Sequence, residues 1–200
     1  MNTWLITGGA GSGKSWVLSK LKKLLNVADS AGFSADDAAR NVMREPQIMA
    51  ALSRLFGPQA AGGTQAAREW LRSKILPDPE LRQQLERLVH PLVLSALEEG
   101  RQRALLSGSN LFLAEVPLHY EIGASVSADF VIVVASSRSV QVRRMMENRG
   151  LDEQTVRKFL DAQWPVEAKV ERADAVIWND GNLASLEAQV LTLASPLLQA

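Results

Sequence analysis

The stretch GGAGSGKS, Gly8 to Ser15, constrains this chain more than any other part of it, because its pattern dictates what must lie on either side. Gly-x-x-x-x-Gly-Lys-Ser turns the backbone tightly between a strand and a helix, so that several N–H groups and the positive end of the helix dipole converge on one spot. Phosphate is the natural guest of such a loop. Lys14 would reach the β and γ phosphates of a nucleotide, and the Ser15 hydroxyl would coordinate the Mg²⁺ that bridges them. The plain alternative is a glycine-rich turn that binds nothing. Against it stand the apolar Trp4-Leu5-Ile6 run before the loop and the amphipathic run after it, where Val17, Leu18, Leu21, Leu24 and Leu25 share one helical face.

Short segments that are apolar nearly throughout recur at 4–7, 31–35, 111–116, 130–135 and 175–178, as strands buried on both faces of a parallel sheet should be. Helical patterns separate them, which predicts an α/β fold on a five-stranded parallel sheet. Between 36 and 108 the patterns are almost all helical: 38–44, 46–56, 65–75 and 79–106. That is far more than a crossover of a dozen or so residues needs, so the region reads as a helical substrate-binding insertion, about 37–108. A second polar, Arg-rich helical piece at 139–168 occupies the place of a mobile lid over the nucleotide. Closure there would keep water from the γ phosphate. A chain of 200 residues suits one full domain with such additions and is short for two with separate active sites.

Composition narrows the chemistry. The sequence has 22 basic and 22 acidic residues, so no bulk charge draws it toward nucleic acid or a membrane. It has no cysteine, which excludes disulfides, thiolate metal sites and a thiol nucleophile. No apolar run is long enough to read as a signal peptide or a membrane span, so the cytoplasm is the expected location. Two nucleotide-hydrolase readings fit less well than a kinase. A GTPase would show an Asn-Lys-x-Asp guanine reader, and Asn179-Asp180-Gly181 lacks the Lys; a motor ATPase would end an apolar strand in an acidic residue, for which Glu115, just ahead of Pro117, is the one candidate.

An ordered series of matches runs through nearly the whole chain. TGGAGSGKS, SADDAAR from Ser34 to Arg40, Phe56-Gly57, Arg68 with Leu71, LPDPELRQQLERLVHP, VPLHYE from Val116 to Glu121, QVRRMM, Gln163 with Lys169, and ADAVIWNDG together resemble the dephospho-CoA kinase family. The resemblance implies a three-layer P-loop NTPase fold with a helical CoA-binding region and a lid. It implies ATP and Mg²⁺ as cofactors, dephospho-CoA as the small-molecule substrate, and a monomer or weak oligomer. By the same resemblance Asp36 is the base on the ribose 3′-hydroxyl, and Lys14 and Arg144 act on the transferred phosphoryl group. Gly9, Ala10, Gly11, Ser12, Gly13, Lys14, Ser15, Trp16, Arg144 and Asn179 would contact ATP. Asp36, Arg68, His90, Pro117 and Leu118 would contact the acceptor. Simpler roles stand beside these: a helix cap for Asp36, a packed structural histidine for His90, a solvated arginine for Arg144, and core packing for Trp4 and Trp178.

Four positions depart from the pattern being resembled. Ser34 stands where it has the first Asp of Asp-Ala-Asp, which removes a negative charge near the expected base; Trp16 replaces a Thr; Ala67 precedes Arg68 in place of Asp; and Asn148 occupies the second lid-arginine site, with Arg149 one residue later. The expectation is a divergent active kinase, with another small-molecule kinase or a nucleotide-binding sensor as the competing readings.

Overall fold

The structure, a computed structural model, describes residues 1–123 and 126–198, apart from the side chain of Arg149. It divides into two compact units, residues 1–34 with 100–200, and residues 35–99.

The first unit is built on five parallel strands, β1 (Asn2–Thr7), β2 (Gly32–Ser34), β3 (Leu111–Glu115), β4 (Phe130–Ala135) and β5 (Ala175–Trp178), in the order β2-β3-β1-β4-β5. Alternation along the inner strands sends successive residues to opposite faces, and both faces are covered. On one, Trp4, Ile6, Leu113, Ile132 and Val134 meet Val17, Leu18 and Leu21 of α1 (Lys14–Leu24) and Leu186, Val190 and Ala194 of α9 (Leu183–Leu198). On the other, Val133 and Ala135 join Tyr120, Val166 and Val170, and Phe112 faces the last turns of α5 (Pro79–Leu106) near Gly100. Two-sided burial is why these strands read as unbroken apolar runs.

The expected strand at 31–35 is shorter. Ala31 closes a 3-10 turn and Ala35 already begins α2 (Ala35–Val42), because Asp36 and Asp37 in the first turn favour the positive helix end. Trp178, expected in the core, is 45% exposed. β5 is the sheet edge, and only its Ile177 side is covered by α9; the backbone of Trp178 is instead closed by Gln189, whose amide accepts from Trp178 N at 2.8 Å and donates to Trp178 O at 2.9 Å. Trp4 lies in the core as expected.

The single helical piece expected at 139–168 is three helices: α6 (Arg138–Arg149), α7 (Glu153–Asp161) and α8 (Val166–Val170). Gly150, at φ 62, ends α6 in the left-handed region, Asp152 Oδ1 caps α7 by accepting from Thr155 N at 2.9 Å, and Pro165 precedes α8.

The second unit is helical throughout: α2, α3 (Pro46–Phe56), α4 (Gln65–Ile75) and most of α5. The last three match the sequence-read bounds because each has clear stops, with Pro46 opening α3, Thr64 capping α4 through Ala67 N at 3.2 Å, and Asp78 Oδ1 accepting from Leu81 N at 3.0 Å ahead of α5.

Ile132, fully buried in the central part of the sheet, tests the packing. Ile132→Ala should cost about 2–5 kcal/mol of unfolding free energy in a urea titration with the transition slope unchanged.

Candidate active site

In a parallel sheet every strand delivers its C-terminal end to the same edge. The loop after β1, the Val116-Pro117 turn after β3, Ser136-Ser137 after β4 and Asn179 after β5 therefore gather there, locked in register by Val116 N to Ile6 O at 2.9 Å and Asn179 N to Ala135 O at 2.8 Å. The 8–13 loop lies in this row. Gly13, at φ 95, is the residue before α1, and a Cβ on it would stand 2.5 Å from Asn179 Nδ2, so both the backbone angle and the space require glycine. A Cβ on Gly9 would collide with the side-chain amide of Gln141.

Side chains from distant parts of the unit brace the loop. Asn179 Nδ2 donates to Ser12 O at 2.7 Å, while its Oδ1 accepts from Arg144 Nη2 at 3.3 Å, so both ends of this buried amide are used. Gln163 Oε1 accepts from Ala10 N at 3.0 Å, and Arg144 Nη1 also reaches Gly11 O at 3.5 Å. Val142, Met145, Val156 and Leu160 pack on Ala10. Thus α6, α7 and the residue two positions beyond α7 are all seated on the loop, and Arg144 is not a solvated surface arginine.

Lys14 is 6% exposed and its ammonium donates to Gly9 O at 2.9 Å. Ser15 is the second residue of α1, where the N–H groups have no partner within the helix; its hydroxyl donates to Glu115 Oε1 at 3.0 Å. Trp16 packs its half-buried ring against the sheet–α1 core cluster. Among the described residues, no group of three His, Asp or Glu side chains forms a cation site of its own.

Beyond β3 the chain turns through Pro117 and Leu118, both half-buried, with Pro117 O accepting from Thr7 Oγ1 at 3.2 Å. Three residues on, Glu121 Oε1 lies 2.6 Å from the buried Lys169 Nζ and accepts from Trp164 N at 3.0 Å. The Glu121 carboxylate is the charge partner of this otherwise buried ammonium. Trp164 stacks on Tyr120 with ring centroids 5.9 Å apart, and the Arg172 guanidinium lies 5.2 Å from its ring. His119 is buried beside this group, its Nδ1 unpartnered among the described residues. Burial lowers its pKa, partly offset by the Glu121 carboxylate and reinforced by Lys169.

Three more predicted residues, Asp36, Arg68 and His90, lie in the helical unit. Asp36 is an exposed residue inside the first turn of α2, so the capping role considered for it gives way to a first-turn position. Arg68, on α4, donates from Nη1 to Gly63 O at 3.0 Å. His90 sits within α5 just before Pro91, and burial lowers its pKa against a smaller opposing effect of Glu86. Asn148 is exposed on α6, and the alternative at Arg149 lies outside the described side chains.

Sequence reasoning met Gln141 and His119 inside the QVRRMM and VPLHYE segments but gave neither a role of its own in the site. Glu115, the one acidic residue closing an otherwise apolar strand, is brought by the fold onto the Ser15 hydroxyl.

The comparisons with known proteins agree in kind. The family model described as dephospho-CoA kinase matches residues 4–185. A dephospho-CoA kinase of Syntrophotalea carbinolica is 38% identical over 196 residues, covering 96% of this chain and 90% of that protein, and one from Geobacillus kaustophilus is 36% identical over 197 residues, covering 94% and 92%. A solved protein from Thermus thermophilus superposes with a TM-score of 0.77 at 31% identity, covering 98% of this chain and 96% of that one. A dephospho-CoA kinase from Campylobacter jejuni, at TM-score 0.60 and 21% identity over 100% of this chain and 98% of that one, shares the fold.

Both histidines of the chain are held neutral by burial, with pKa values below the ordinary 6.5. Between the lowered folded values and 6.5 the unfolded chain binds more protons than the folded one, so their contribution to stability is complete above 6.5 and is lost as pH falls through that window. Urea midpoints should drop from pH 7.5 to pH 5.5, and the double variant His90→Gln, His119→Gln should show a shallower drop.

Proposed function

Because the chain belongs to the dephospho-CoA kinase family, we propose that it transfers the γ-phosphoryl group of ATP to the ribose 3′-hydroxyl of dephospho-CoA, giving CoA and ADP. The observation that carries the reading is the convergence of two cations on one glycine loop: Lys14 held at Gly9 O, and Arg144 at Gly11 O and Asn179. Phosphoryl transfer is catalysed chiefly by positioning and by charge stabilisation, and this loop supplies both.

Gly9 to Ser15 cradle the ATP phosphates with backbone N–H groups. Lys14 neutralises charge on the β and γ oxygens, and Arg144 stabilises the equatorial oxygens of the moving phosphoryl group. Asn179 acts as a brace that fixes Ser12 and Arg144 together, and Trp16 flanks the loop from the core side. The donor set around the loop fits Mg²⁺, a hard cation that takes one or two protein oxygens and completes its shell with phosphates and water; Ser15 supplies the hydroxyl. When bound, the ion neutralises charge developing between the β and γ phosphates.

Asp36 follows β2 by two residues and is the base that accepts the ribose proton, an exposed carboxylate in a helix first turn being open to an incoming hydroxyl. The helical unit, with Arg68 and His90, is the dephospho-CoA-binding insertion, and Pro117 and Leu118 line the acceptor side after β3. Arg68 pairs with a substrate phosphate. The segment from α6 to α8 is the lid. The enzyme works in the cytoplasm as a monomer or weak oligomer; no described helix is long and apolar enough to cross a membrane.

Two experiments test this. Magnesium-dependent ADP release should require dephospho-CoA, against AMP, CMP, shikimate or no acceptor, and yield a product of CoA mass; ADP release with another acceptor only, or with none, overturns it. Asp36→Asn should lower turnover about 10²- to 10⁴-fold while ATP affinity stays nearly unchanged, as loss of a positioned base does; near-wild-type turnover would remove Asp36 from that role.

A further inference from the structure

The last peptide plane of β5 is held from both sides, and one of the two holds comes from outside the sheet. In a parallel strand, alternate residues direct their backbone N–H and C=O toward the same neighbour. Asn179 N donates to Ala135 O at the end of β4 at 2.8 Å, so the backbone groups of Trp178 point the other way, to the free edge of the sheet. There Gln189 of α9 takes the place of a strand. Its Oε1 accepts from Trp178 N at 2.8 Å and its Nε2 donates to Trp178 O at 2.9 Å, the pair of bonds a neighbouring strand would make. Nε2 also donates to Ser185 O at 3.3 Å, one turn back, and the buried Leu186 and Val190 fix the rotation of α9, so the amide is aimed by its own helix.

The consequence lies one residue on. Trp178 O and Asn179 N belong to the same planar peptide unit, which is therefore clamped at its oxygen by Gln189 and at its nitrogen by Ala135. From this plane the Asn179 side chain reaches Ser12 O and Arg144, the loop and its second cation. Water at the open edge can satisfy Trp178 O but cannot fix the direction in which the plane points. We propose that Gln189 is a positioning residue for the nucleotide site: by standing in for a strand beside β5, it sets the Trp178–Asn179 peptide plane from which Asn179 braces Ser12 and Arg144. It acts through Asn179 and not on the nucleotide. The proposal rests on the reading of the 8–15 loop as the seat of the nucleotide phosphates.

ADP is the probe, its affinity read by calorimetry, beside the hydrogen exchange of the Asn179 side-chain amide read in ¹H–¹⁵N spectra of the protein without ligand. Gln189→Met keeps the length of the side chain and removes both bonds to Trp178. It should weaken ADP binding roughly 10-fold, the low end of what losing a partner that orients a functional group costs, and speed exchange at Asn179 Nδ2. In an Asn179→Ala background the same change should cost nothing further, because the path it acts through is already cut. Ala194→Gly, in the same helix, should lower the urea midpoint and leave ADP affinity unchanged, which separates positioning from a general loosening of α9. If Gln189→Met does not fold, Gln189→Glu keeps the bond from Trp178 N, loses the one to Trp178 O, and is read the same way. Unchanged ADP affinity, unchanged Asn179 exchange, or losses that add in the Asn179→Ala background overturn the proposal. A protein that shows the Gln189 effect on ADP but makes no CoA refutes the proposed reaction and leaves Gln189 in its role, whereas one that makes CoA with ADP binding indifferent to Gln189 does the reverse. Absence of ADP binding by the wild-type protein overturns both.

Discussion

The phosphate loop cannot hold its own shape. Its backbone turns through conformations that neither strand nor helix stabilises, and N–H groups aimed at one point repel each other until an anion arrives, so the geometry must be imposed by neighbours. Here the neighbours are side-chain amides. Asn179 holds Ser12, Gln163 holds Ala10, and Gln141 fills the space left by the missing side chain of Gly9. Amides suit this work because each can donate and accept without adding a charge that would compete with phosphate.

Those braces come from far along the chain, which explains why the sheet must be parallel and in this order. β1 lies between β3 and β4, and β5 lies beyond β4, so the loop after β1 is flanked at one edge by Glu115, Pro117, Ser136 and Asn179. A register slip in β5 would withdraw Asn179 from Ser12 and release Arg144 with it. The hydrophobic contacts on both sheet faces thus do catalytic service indirectly, by fixing register at the edge where polar atoms meet.

The α6–α8 segment is tied to the loop by the same economy of contacts. Apolar residues of α6 and α7 clasp Ala10, Gln163 reaches its N–H, and at the far side Trp164 is pinned to Tyr120, Arg172 and Glu121. Gly150 and Pro165 bound the helices between these anchors.

Local chemistry was legible in the sequence wherever one short segment sufficed to specify it. Gly8 to Ser15 announces its turn and its guest, unbroken apolar runs announce a sheet covered on both sides, and Pro46, Thr64 and Asp78 mark helix starts, because each signal acts within a few residues. What depended on partners distant in sequence was not legible. Trp178 looks like a core residue until β5 proves to be the edge strand; Gln141 looks like one polar residue among many until it lies over Gly9; and Glu115 looks misplaced in an apolar strand until Ser15, 100 residues earlier, donates a hydrogen bond to it. Periodicity encodes which face of an element is buried, but which elements become neighbours, and so which lone polar groups meet, is settled only when the strands choose their order and register.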